Sequence, residues 1–129
     1  MIGYVMLGTN DLAKAKSFYD AVLAPMGASA FAAYSSENRA FYTVGAGQPM
    51  FAIGKPLDGG KANFGNGTMV SFPASTRAIV DAVYAKAIAM GGKDEGKPGI
   101  RGSDPNGFYG AYMRDPDGNK LCVFRVGPP

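Results

Sequence analysis

The feature that most limits how this chain can fold is a pattern that runs twice. Residues 2–7 are a short, mostly apolar run that suits a strand buried on both faces, and the run stops at Gly8. Asn10-Asp11 then offers a helix cap. Beyond it Leu12, Ala15, Phe18, Tyr19, Val22, Leu23 and Met26 recur with helical spacing, leaving Lys14, Lys16, Ser17 and Asp20 on the far side. This amphipathic helix closes near Pro25 and Gly27, and three β-like pieces follow at 28–34, 39–44 and 49–54. After a loop over 55–67, rich in Gly and Asn, the order begins again. A strand is predicted over 68–72, a cap at Ser75, and a second helix whose stripe is Ile79, Val80, Val83, Tyr84, Ala87 and Met90. Strands over 108–114 and 119–126 are joined by Asp115-Pro116-Asp117-Gly118, a strong turn signal. Met26-Gly27 and Met90-Gly91 each close a helix, half the chain apart. The economical reading is an internal duplication of a strand-helix-strand-strand-strand unit.

At 129 residues the two units fit one domain, and 47% hydrophobic residues against 18% charged exclude intrinsic disorder. No apolar run approaches the roughly 20 residues needed to span a bilayer, and the N-terminus lacks a basic flank and a long apolar core. With a single cysteine, a soluble cytoplasmic protein is expected. The net charge of +3 is scattered, with no basic stripe for nucleic acid, and supports at most a mild preference for anionic small molecules.

The chain has no histidine. That removes the commonest general base and the commonest transition-metal ligand together, and excludes Ser-His and Cys-His nucleophile arrangements. Among the carboxylates, Asp20 and Asp81 are expected on polar helix faces, each within reach of a basic residue one turn earlier, Lys16 and Arg77. Asp94, Glu95 and Asp104 are placed in the second-half loop, and no acidic residue falls in a predicted strand.

Asn10-Asp11-Leu12 and Phe18-Tyr19 after the opening strand, the strand 67–72, and the ending Tyr112-Met113-Arg114-Asp115-Pro116-Asp117-Gly118-Asn119-Lys120-Leu121 together resemble the vicinal oxygen chelate superfamily. Its members include glyoxalases, extradiol dioxygenases, fosfomycin-resistance enzymes and bleomycin-resistance proteins. The resemblance implies an α+β fold of two tandem βαβββ modules forming a cup-shaped mixed sheet with helices outside. It would divide a single domain, 1–129, into a first module of about 1–57, a linker of about 58–65 and a second module of about 66–129. It further implies a divalent-metal site in catalytic members, whose ligand positions fall on Tyr4, Met69 and Cys122, with a fourth near Met50 to Ala52. None of these is a standard ligand for a hard or borderline metal except, weakly, the cysteine. No metal and no cofactor are therefore expected.

Strand alternation puts Ile2, Tyr4, Met6, Met69, Ser71, Cys122 and Phe124 on the cup wall, with Val5, Leu7, Val70 and Phe72 behind it. Met50 joins them through the fourth ligand position. A long glycine-rich loop over 97–107 carries Arg101 towards Phe108 and Tyr109 at the cup's mouth, where the guanidinium has two open readings, anion partner or solvated loop residue. Tyr112 is a candidate whose side stays open. The methionines and Phe124 can line a ligand pocket or fill a core. Tyr4, if buried, needs a partner for its hydroxyl, while Cys122 reads as a small buried hydrophobe.

The sequence thus predicts a homodimeric, metal-free relative that binds or sequesters a small molecule in an apolar cup. One alternative is a lyase-, isomerase- or dioxygenase-type enzyme with a divergent site, using Tyr4, Tyr112 or Cys122 as a weak acid-base group beside Arg101. Another is a structural or protein-interaction module, which requires a cup packed solid with side chains.

Overall fold

Two helices form where the apolar stripes recur. Helix α1 (Leu12–Leu23) is capped by Asp11, whose carboxylate accepts from Lys14 N at 3.0 Å, and it buries Leu12, Ala15, Phe18, Tyr19, Val22 and Leu23. A 3-10 turn carrying Pro25 ends it, and Gly27 takes the left-handed conformation at φ 78° that only glycine adopts without strain. Helix α2 (Arg77–Ala89) repeats the device, burying Val80, Val83 and Ala87 and ending before Gly91 at φ 94°. Its cap is Thr76 rather than Ser75, with the hydroxyl accepting from Ile79 N.

The computed structural model describes residues 1–129 and adds eight strands: β1 (Tyr4–Gly8), β2 (Ser29–Ala30), β3 (Arg39–Thr43) and β4 (Met50–Gly54) in the first half, β5 (Met69–Pro73), β6 (Lys93–Arg101), β7 (Phe108–Arg114) and β8 (Lys120–Val126) in the second. They form two four-stranded sheets, ordered β1-β4-β3-β2 and β5-β8-β7-β6. In each, the first strand runs parallel to the last and the other pairings are antiparallel. The α+β architecture of two tandem βαβββ units is the expected one, and the identical strand order makes the duplication explicit. No helix is long and apolar enough to cross a membrane.

One core serves both halves, taking Leu7, Tyr42, Phe51 and Ile53 from the first sheet, Ala111, Met113, Leu121 and Val123 from the second, and the buried faces of both helices. A polar junction locks the halves together. The Tyr19 hydroxyl donates to Asp115 Oδ2 at 2.5 Å, while Asn119 Nδ2 donates to Gly8 O at 2.9 Å and to Asp115 Oδ2 at 2.8 Å. Thr9 Oγ1 and Asn10 N both donate to Asp117. The Asp-Pro-Asp-Gly-Asn turn therefore does more than reverse the chain, because its carboxylates receive donors from β1's end and from α1.

Several expectations change. β1 is an edge strand, not one buried on both faces: Leu7 is buried, but Tyr4 and Met6 are 59% and 52% exposed. The piece at 28–34 shortens to two strand residues and a 3-10 turn at Ala32–Tyr34. Residues 93–101, expected as loop, pair with β7 as β6, so Asp94 and Glu95 do lie in a strand. β6 is an edge strand with register shifts between Asp94 and Gly99, which is how a segment containing Pro98, Gly96 and Gly99 is tolerated. The intrahelical ion pairs do not form. Asp20 instead accepts from the Tyr42 hydroxyl and Asp81 from that of Tyr109, while Arg77 donates to Pro105 O and Gly127 O.

Burial, reinforced by the Asp115 carboxylate, holds the Tyr19 phenol well above its usual value, and burial with Asp20 does the same for Tyr42. A phenol raised in the folded state contributes stability that is complete below its unfolded value, about pH 10, and lost as pH rises beyond it. Tyr19→Phe should cost roughly 1–3 kcal/mol at neutral pH by leaving Asp115 short of a donor, and should weaken the loss of stability above about pH 10. Urea denaturation at the two pH values reads both effects.

Candidate functional site

Each sheet turns one face to the shared core and leaves the other open. On the first sheet, the register Tyr4↔Met50, Met6↔Ala52 and Phe41↔Ala52 puts Tyr4, Met6, Met50 and Phe41 on the open face. Tyr4 packs edge-to-face on Phe41 at 5.2 Å, and Tyr34 meets the same ring at 5.9 Å. The Tyr4 hydroxyl is not buried and needs no protein partner, contrary to the requirement that burial would have imposed.

On the second sheet, Ser71↔Cys122 and Tyr112↔Cys122 are register partners, and Gly110↔Phe124 and Phe108↔Val126 continue the same face. Met69, Ser71, Phe108, Tyr112, Cys122 and Phe124 therefore gather on one surface, with Phe108 stacked on Phe124 at 5.0 Å. The register settles the side of Tyr112, which sequence parity alone left open. It also removes Tyr109 from the set. That side chain points to the opposite face, where its hydroxyl donates to Asp81 on α2 at 2.7 Å and Arg77 lies over its ring.

Arg101 ends β6 rather than crowning a loop. Its guanidinium folds back over the strand, donating to Lys97 O at 2.8 Å and Gly99 O at 3.1 Å, and lies 5.4 Å from the centroid of the Tyr112 ring. A Cβ at Gly96 or Gly99 would come within 3.2 Å of this guanidinium, so the two glycines make its berth. Lys120 covers the same ring at 5.8 Å.

Cys122 is buried, and that burial pushes its thiol upward despite neighbouring Ser71 and Tyr112. Tyr112 is raised for the same first reason. Neither group is poised as a base or nucleophile at neutral pH.

The sequence reading missed Phe41, Tyr34 and Arg39 on the first open face. The alternation of Arg39 and Phe41 was a visible signal for two of them, and Tyr34 required the 3-10 turn. Between the unpaired edges of β1 and β5 runs a largely apolar groove of about 460 Å³, lined by Val5, Met50, Phe51, Met69, Ser71 and Phe72 among others. It brings Met50, Met69 and Ser71 of the open faces together with Val5, Leu23, Met26, Phe51 and Phe72 from the core-facing side, so the groove is distinct from the cup wall that strand alternation predicts.

The glyoxalase/bleomycin resistance protein/dioxygenase superfamily model matches residues 1–123. The chain belongs to this superfamily. It is 38% identical to a glyoxalase/bleomycin resistance protein of Albidiferax ferrireducens, covering 97% of this chain and 98% of that one with a TM-score of 0.86. A superfamily enzyme of Burkholderia phytofirmans shares the fold at 21% identity, with coverage of 96% and 97% and a TM-score of 0.73. So does a lactoylglutathione lyase of Agrobacterium tumefaciens, at 24% identity, coverage of 97% and 92%, and a TM-score of 0.65. Comparison with curated proteins gives no match.

Catalytic relatives imply a divalent metal, and the donors here do not fit one. Tyr4 and Met50 stand on one sheet, Met69 and Cys122 on the other, offering a phenol, two thioethers and a thiol whose ionisation burial opposes. No three His, Cys, Asp or Glu side chains come together anywhere in the chain as a metal-holding group.

The buried thiol gives a direct check. Cys122 in the folded protein should react with iodoacetamide at neutral pH about a hundredfold more slowly than in urea, and a rate matching the unfolded protein would contradict its burial.

Proposed function

We propose that this superfamily member binds a small molecule without a metal, in an apolar groove between its two halves, and that a second copy of the chain covers the open faces. The observation that carries the reading is the apolar groove between the β1 and β5 edges. Its volume of about 460 Å³ lies within the range of small-molecule sites, and its lining is apolar with a few polar tips such as Ser71, Thr43 and Gln48.

A homodimer follows from what is left uncovered. Tyr4, Met6 and Met69 are 59%, 52% and 43% exposed on the open faces, and β1 and β5 present unpaired strand edges beside them. Exposed apolar surface next to an open edge is the combination that association relieves. The free cysteine suits a reducing, cytoplasmic setting. The acid-base alternative loses support because Tyr112 and Cys122 are both shifted towards their neutral forms.

Native mass spectrometry of freshly purified protein tests the whole reading. A dimer carrying a small organic molecule and no metal is expected, and Tyr4→Glu should shift the population to monomer. A stoichiometric divalent ion in the folded protein would overturn the metal-free assignment, and a monomer at micromolar concentration would overturn the dimer.

A further inference from the structure

A second groove, sharing no lining residue with the apolar one, lies at the far end of the first sheet's open face. Its volume is about 790 Å³ and one chain builds all of it. Arg39 on β3 pairs with Gly54 on β4, which pairs with Gly8 on β1, so two of the three positions in that row carry no side chain. The outer wall is the segment after β4, and it is pinned. Asn10 exchanges two hydrogen bonds with the Ala62 backbone, at 3.1 and 2.8 Å, and Ala62 sits so close over Gly8 that a Cβ there would lie 2.9 Å from its own.

The charged side chains that line this groove are all of one sign. Arg39, Lys55 and Lys61 line it, and no carboxylate does. None of the three cations makes an ion pair, since the single salt bridge of the chain joins Arg114 to Glu95. Four carboxylates lie just outside the lining and keep their charge: Asp58 accepts from Gly60 N, Asp117 from Thr9 and Asn10, and Asp11 and Glu37 line an adjoining depression across Lys55. Asn38 adds an exposed side-chain amide to the lining. Met6, Pro56 and Leu57 supply an apolar flank beside the cations.

Three exposed cations that line one concavity, with the neighbouring carboxylates outside it, favour an anion there, and an adjacent apolar flank favours one with a hydrophobic body. We infer that this groove is a binding site for a small organic anion, a carboxylate or phosphate ester whose charged end lies among Arg39, Lys55 and Lys61.

The test is a ¹H–¹⁵N NMR titration at low salt with benzoate, phenyl phosphate, inorganic phosphate and the neutral benzyl alcohol. Both aromatic anions should bind at least about tenfold more tightly than benzyl alcohol, shifting the amides of Arg39, Lys55 and Lys61. The tighter of the two identifies carboxylate or phosphate as the preferred head group, and weaker binding of inorganic phosphate reports the apolar flank. Affinity should fall about tenfold or more in the triple variant Arg39→Gln, Lys55→Gln, Lys61→Gln, and should fall as salt is raised through the screening range. Equal binding of benzyl alcohol, or full affinity in the triple variant, overturns the anion site. Shifts confined to Met50, Met69 and Ser71 would do so too while leaving the small-molecule reading of the apolar groove intact.

Discussion

The structure depends on one buried polar junction, the carboxylate of Asp115 with the hydroxyl of Tyr19 and the amide of Asn119. Asp115 is 3% exposed and accepts from its own turn as well, through the N–H groups of Asp117 and Asn119. A carboxylate so desolvated is costly unless its oxygens are filled, and burial does push its pKa upward. Filling them requires groups from both halves of the chain. The docking of the two units is thereby specified in a way that apolar contact alone, being non-directional, does not achieve.

With the halves docked through one core, the remaining sheet faces point outward and become the chemistry of the molecule. They differ sharply. The second face carries a phenol under two cations, a buried thiol and a stacked phenylalanine pair. The first carries an aromatic cluster that leads to a cationic concavity. Neither assembles the donor set of a metal enzyme, although the fold is that of a superfamily whose catalytic members use one. Membership here predicts shape far better than it predicts chemistry.

Much of the fold was legible in the sequence for definite reasons. The helical stripes ending at Met26-Gly27 and Met90-Gly91 are a strong periodic signal, and the Asp-Pro-Asp-Gly turn has its own chemistry. β6 was not legible, because Lys93–Arg101 is held by backbone pairing to β7 and its glycines and proline read as loop. The alternation along β1, β5 and β8 placed Tyr4, Met6, Met69, Ser71 and Cys122 on open faces. It could not place Tyr112 or exclude Tyr109, since their sides follow from the register of β7 against β8, a long-range property. Nor could it show that Asp20 and Asp81 would prefer tyrosine hydroxyls on neighbouring strands to lysine and arginine on their own helices.

The junction also breaks the symmetry of the duplication, because its carboxylates come from the final turn alone. Once that turn and α1 secured the union, neither outward face was needed to hold the halves together. A duplicated scaffold joined in this way presents two chemically different surfaces from one small polypeptide.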